Sequence, residues 1–130
     1  MRNFDLEEER IKQEILRLGA KRVLIQVPEG LKSEAPHIAR TIEKLGVQTI
    51  ISADPCYGAC DLAIAEAESL GVDMIVHYGH TKLVKYERVP TLYIEARATL
   101  KVNSAVEKAL FLMEKWRRIG LVTTVQHVQT

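Results

Sequence analysis

The chain has 130 residues, with 18 lysines and arginines against 17 aspartates and glutamates, for a net charge of +1. That length suits one domain with a real core, and near-balanced, interspersed charge offers neither a basic face for nucleic acid nor an acidic disordered tail. Aromatic residues are only 5%, too few for a base-stacking platform, and no apolar run approaches a membrane span.

The N-terminus, Met1-Arg2-Asn3-Phe4-Asp5, leads into acidic residues rather than a signal-peptide core, so the expected location is cytoplasmic. Asp5 with Glu8 reads as a capping box. Ile11, Ile15 and Leu18 then repeat at helical spacing, and Gly19 ends the helix. Val23–Val27 is a short apolar run bounded by Pro28 and predicts a buried strand. Leu31, Ala35, Ile38, Ile42 and Leu45 form one face of a second helix closed by Gly46. Pro36 must lie in its first turn, since a deeper proline would break it. Val47–Ile51 predicts the second strand.

Leu62 to Leu70 reads as a short alanine-rich helix ended by Gly71, with Asp61 as its N-cap. Met74–Tyr78 and Thr91–Ile94 predict two more strands, separated by an irregular stretch from Thr81 to Pro90. Ser104 with Glu107 suggests another capping box, followed by a helical face of Ala105, Ala109, Leu112 and Trp116 and a stop at Gly120. Leu121–Val125 predicts a last strand that runs on to Thr130. Continuous apolar strands alternating with helices imply an α/β fold. The expectation is a three-layer α/β/α domain with a mainly parallel sheet of four to five strands.

The two cysteines, Cys56 and Cys60, sit together in a strand-to-helix loop, Cys56-Tyr57-Gly58-Ala59-Cys60-Asp61. The carboxyl edge of a parallel sheet is where ligands bind. Placed just before an Asp61 N-cap, Cys60 would gain from the free amides and dipole of a helix start, which favour a thiolate. Gly58 removes a side chain beside it. These features suit a soft-metal ligand or a nucleophile, while a cysteine that merely fills core space remains the plain alternative. Cys56, Cys60, His77 and His80 together could hold zinc, although their spacing matches no common finger pattern. Three residues between the cysteines, rather than two, argue against a thioredoxin-type redox pair. Pro28-Glu29-Gly30 carries one glycine, not a phosphate-binding fingerprint, and Tyr78-Gly79-His80-Thr81 closes the third predicted strand at the same edge.

Four segments carry a wider likeness: Val23 to Leu31, Asp54 to Asp61, Asp73 to His80, and Val122 to His127. In order and spacing they resemble the family of the archaeal diphthamide-synthesis enzyme, the 2-(3-amino-3-carboxypropyl)histidine synthases. The resemblance implies an iron–sulfur enzyme that makes the first step of diphthamide formation. Such an enzyme transfers the 3-amino-3-carboxypropyl group of S-adenosylmethionine to a histidine of translation elongation factor 2, by a radical mechanism. Three similar α/β domains each give one cysteine to a [4Fe-4S] cluster, the fourth iron is left for S-adenosylmethionine, and the archaeal enzyme is a homodimer. The cysteine that carries over is Cys60, with Cys56 an accessory neighbour. Pro28, Glu29, Gly30, Tyr57, Gly58, Tyr78, Gly79 and His80 would line the cofactor cavity. The family's enzyme is much longer, so residues 1–118 are expected to be its first domain and 119–130 the opening strand of a second. As a lone fragment the chain is expected to hold no cluster and to be inactive. The competing expectation is a non-catalytic α/β module that binds a ligand or dimerises, and neither reading calls for nucleic acid or membrane.

Overall fold

Strand order decides where the two cysteines end up. In the computed structural model, which describes residues 3–83 and 85–129, four strands form one parallel sheet in the order β2-β1-β3-β4. They are β1 (Arg22–Gln26), β2 (Gln48–Ile51), β3 (Met74–Tyr78) and β4 (Thr91–Ile94). Around them lie α1 (Glu8–Leu18), α2 (Ala35–Glu43), α3 (Ile64–Ser69) and α4 (Asn103–Met113). The chain steps from β1 outward to β2, then back across β1 to β3. Right-handed crossovers therefore put α2 and α3 on opposite faces of the sheet, and the direction of winding reverses between β1 and β3.

The two central strands, β1 and β3, form where β-branched and aliphatic residues are shielded on both faces, while the edge strand β2 stays partly exposed. All five residues of β3 are buried, and only Arg22 of β1 is partly exposed. On one face Leu24 and Ile75 pack with Ala67 of α3 and with Val72 and Val89. On the other, α2 lies against β1 and β2, and α1 against α2. Ile11, Ile15, Ile38 and Ile42 are all fully buried. Each contributes roughly 1.5–3 kcal/mol of transfer free energy.

Helix ends depart from the sequence reading in instructive ways. The N-cap of α1 is Glu7, in the left-handed region at φ 48°, rather than Asp5. The run before α2 begins as a 3-10 turn over Glu29–Glu34, and Pro36 sits in the first turn of α2 as the sequence requires. Asp61 does not cap α3. That helix starts at Ile64, with Ala63 as its N-cap, while Asp61 ends a separate 3-10 turn over Ala59–Asp61. The N-cap of α4 is Val102 without a side-chain capping bond, so the Ser104–Glu107 box does not form at its start.

The chain divides into two compact units, Leu6–Glu95 and a second that joins the N-terminal residues to those from Ala96 onward. The first holds the whole sheet. In the second, Phe4 and Ala98 form an antiparallel bridge, Asp5 N–H donates to the Arg97 carbonyl at 2.8 Å, and Ala98 N–H donates to that of Gln126 at 2.7 Å. The face expected to be core on α4 is open to solvent: Leu112 and Trp116 are exposed, Trp116 beyond the helix end. Leu121–Val125 forms no strand among the described residues. Leu121 and Val122 are exposed, and a 3-10 turn follows over Val125–His127. Met1 and Arg2 of the N-terminal reading, Val84 of the irregular stretch and Thr130 of the expected last strand lie outside the described residues. No helix among those described is long and apolar enough to cross a membrane.

Candidate functional site

The site grows from the switch point between β1 and β3, where the direction of winding reverses, as expected for open α/β sheets. Gln26, the last residue of β1, is paired in register with His77 of β3, and both side chains are buried. The Gln26 amide is fixed at both ends. Its Nε2 donates to the Asp61 carbonyl at 2.7 Å, and its Oε1 accepts from Ala63 N–H at 3.2 Å. Oε1 also lies 2.8 Å from His77 Nδ1. As an acceptor it requires the proton on Nδ1, so His77 Nε2 is the lone-pair nitrogen. That nitrogen faces His80 Nδ1 at 3.0 Å. Burial first, then the neighbouring His80, push the pKa of His77 down to about 4, so its imidazole is neutral.

Cys56 completes the group. Its sulfur is buried, 4.0 Å from His80 Nδ1 and 4.0 Å from the Gly58 carbonyl. Burial, followed by the Asp61 charge, raises its pKa, which keeps the thiol protonated. The ligand atoms of Cys56, His77 and His80 all lie within 4.8 Å of one another.

Cys60 faces the other way. Its thiol is exposed on a shallow cavity of about 250 Å³ shared with Leu62, Tyr86 and Arg88. The loop around it is held by backbone contacts rather than by a helix start. Asp61 Oδ2 accepts from Tyr57 N–H at 2.8 Å and Gly58 N–H at 2.9 Å, and these amides hold the carboxyl below its usual range. The thiol of Cys60 approaches Asp61 Oδ1 at 3.8 Å. A Cβ on Gly58 would fall 3.2 Å from Cys60 Sγ, so glycine leaves the sulfur room for a large ligand. Upstream, the Lys32 ammonium donates to the carbonyls of Ser52, Ala53 and Asp54 at 3.2, 3.1 and 2.8 Å, which fixes the entry to the loop.

The structure thus sorts the residues singled out from the sequence. Both cysteines are free thiols, so no disulfide forms. Of the four suggested zinc ligands it gathers three and leaves Cys60 outside. Cys60 lies within a short 3-10 turn rather than before a helix N-terminus, so the dipole argument for its thiolate does not apply. Tyr78 is core: its hydroxyl donates to the Leu6 carbonyl at 2.9 Å. Pro28 and Gly79 meet across the β1 and β3 ends, where a Cβ on Gly79 would lie 3.0 Å from Pro28 Cγ. Glu29 and Gly30 are exposed, Glu29 3.8 Å from Lys32 Nζ, and Tyr57 is exposed beside Cys60. Sequence reasoning missed Gln26, whose one signal is a polar side chain inside an apolar strand. It also missed Tyr86 and Arg88, which lie in a stretch without periodicity.

An open parallel α/β domain with thiol and imidazole groups gathered at its switch point is the class this fold and site define. Residues 27–130 match the diphthamide synthesis protein family, and the chain belongs to that family. It is 37% identical over 125 residues to the 2-(3-amino-3-carboxypropyl)histidine synthase of Pyrococcus horikoshii, covering 95% of this chain and 36% of that relative. Subunit 1 of the synthase from Nematostella vectensis is 35% identical over 130 residues, which cover 97% of this chain and 28% of the relative. Among solved structures, Dph2 from Pyrococcus horikoshii with a 4Fe-4S cluster matches with a TM-score of 0.75 and 36% identity, over 85% of this chain and 33% of that one. The chain spans about a third of the length of these relatives.

Proposed function

We propose that this chain is the first cluster-binding domain of a 2-(3-amino-3-carboxypropyl)histidine synthase and that Cys60 is its iron ligand. The observation that carries the reading is the exposed Cys60 thiol with an open cavity on one side and the bare Gly58 on the other. Iron–sulfur clusters are bulky and take thiolates, and this is the accessible thiol of the chain. Bound there, a [4Fe-4S] cluster would supply the electron that cleaves a sulfonium C–S bond of S-adenosylmethionine and releases the 3-amino-3-carboxypropyl radical.

The chain's own part is to present one thiolate on a fixed loop. Asp61 ties the turn by accepting the Tyr57 and Gly58 amides, and Lys32 anchors the approach from β2. On ligation Cys60 loses its proton and the contact with Asp61 Oδ1 is given up. One cysteine holds one iron, so the other two ligands come from further domains. The acceptor on this reading is a histidine of translation elongation factor 2, the working enzyme is a cytoplasmic homodimer, and Gly58 and Tyr57 flank the cluster.

The test is Cys60→Ala in an enzyme that carries all three domains, reconstituted anaerobically with iron and sulfide. The expected result is loss of the cluster's absorption and paramagnetic signal, and of modified elongation factor. Unchanged cluster content and transfer would overturn the assignment. The 130-residue chain alone is expected to form no stable four-iron cluster.

A further inference from the structure

From the convergence of Cys56 Sγ, His77 Nε2 and His80 Nδ1 at the β1/β3 switch point, we infer a second, mononuclear metal site that takes a zinc-class divalent ion. It is independent of Cys60 and of the cluster reading. The donor set is one sulfur and two imidazole nitrogens, which suits zinc and excludes magnesium or calcium, since those ions require oxygen.

The spacing fits. Tetrahedral zinc with ordinary bond lengths sets its sulfur and nitrogen ligands about 3.6 Å apart and two nitrogens about 3.3 Å apart. Here the sulfur lies 4.0 Å from His80 Nδ1, and the two nitrogens are 3.0 Å apart. His77 Nε2 lies within 4.8 Å of the sulfur, so closing the tetrahedron parts the two nitrogens by a few tenths of an ångström and draws the thiol in by up to about an ångström. The thiol is loosely held, with both its neighbours at 4.0 Å, so it can turn toward an ion at little cost.

His77 is already prepared as a ligand. Its Nδ1–H donates to Gln26 Oε1 at 2.8 Å, which fixes the ring and aims the Nε2 lone pair at the site. A metal-bound histidine is oriented in this way by a partner on its other nitrogen. Gln26 cannot rotate to reverse the arrangement, because its two ends are held by Asp61 and Ala63. Binding displaces the thiol proton of Cys56 and moves the His80 proton from Nδ1 to Nε2. His80 is only half-buried, so the fourth position opens toward solvent and can take water or a small anionic donor. Among the described residues no buried side-chain polar atom lacks a partner. The three donors therefore belong to a connected polar network that an ion would enter by replacing the His77–His80 contact.

The test uses the whole chain, reduced and stripped of metal with a chelator, then titrated with cobalt(II). One equivalent is expected to give the visible bands of a tetrahedral ion and a near-ultraviolet thiolate-to-cobalt charge-transfer band, both lost on adding zinc. Cys60→Ser is expected to leave these bands unchanged, and Cys56→Ser to abolish the charge-transfer band. Gln26→Ala is expected to weaken zinc binding by about 10–100-fold. His80→Gln changes a half-buried residue at the mouth, keeps the circular dichroism of the fold, and is expected to lose the tetrahedral bands. Absence of the bands from the parent chain overturns the site. So does their loss in Cys60→Ser combined with their survival in His80→Gln. Failure of Cys60 to hold a cluster leaves this outcome unaffected.

Discussion

Single side chains set the geometry here by holding backbone groups that the strands leave over. Asp73, just before β3, accepts the Lys21 and Arg22 amides at 2.8 Å each, and these two donors lower its pKa. A carboxylate whose folded pKa is depressed stabilises the fold above the unfolded value, about 4, and loses that contribution as pH falls through the folded value. Asp73→Asn is therefore expected to lower stability at neutral pH and to flatten the acid limb of a urea-midpoint profile. An unchanged profile in the variant would show that the two amides gain nothing from the charge. Little of this is visible in sequence, where Asp73 reads as a turn residue. Gln26 is hidden for a related reason: alternation and propensity describe what a strand buries, not which polar side chain the neighbouring strand can satisfy. Cys60 draws notice in the sequence because a glycine and two cysteines in one loop are unusual. Its exposure was not, because the direction of a thiol depends on the 3-10 turn that Asp61 closes.

At the level of elements, the helices and the four sheet strands follow from apolar spacing, as do the bounds of β3 and β4 and the stop of α1 at Gly19, but the helix starts do not. Asp61 has one carboxylate, and the loop amides of Tyr57 and Gly58 hold it, so α3 is capped at Ala63 rather than Asp61 and starts at Ile64 rather than Leu62. Leu121–Val125 has the composition of a strand, but a strand exists only where another edge accepts its hydrogen bonds. The end of β3 is where an element meets the site most directly. Gly79 has φ 83°, and an added Cβ would press on Pro28 Cγ at 3.0 Å. Gly79→Ala is expected to cost about 1–3 kcal/mol for the left-handed backbone alone, read as a lower denaturant midpoint. It should also disturb the placement of His80 one residue on. A variant as stable as the parent would mean that the β1 and β3 ends are free to part.

For the molecule as a whole, the parallel sheet was legible because runs buried on both faces read as continuous apolar segments. The order of the strands was not, because pairing is a choice among edges that composition leaves equal. That order puts Gln26 beside His77 and so makes the site. It also separates the two cysteines by accessibility within a span of five residues. Cys56 is 1% exposed, whereas Cys60 is exposed. The pair is therefore a built-in clock for the opening of the domain. An alkylating reagent should modify Cys60 in the folded protein and reach Cys56 only in molecules that have opened. With Cys60→Ser as background, the labelling rate of Cys56 divided by that of the unfolded chain gives the open fraction directly. Equal rates for the two thiols in the native protein would mean that the loop is not closed over Cys56.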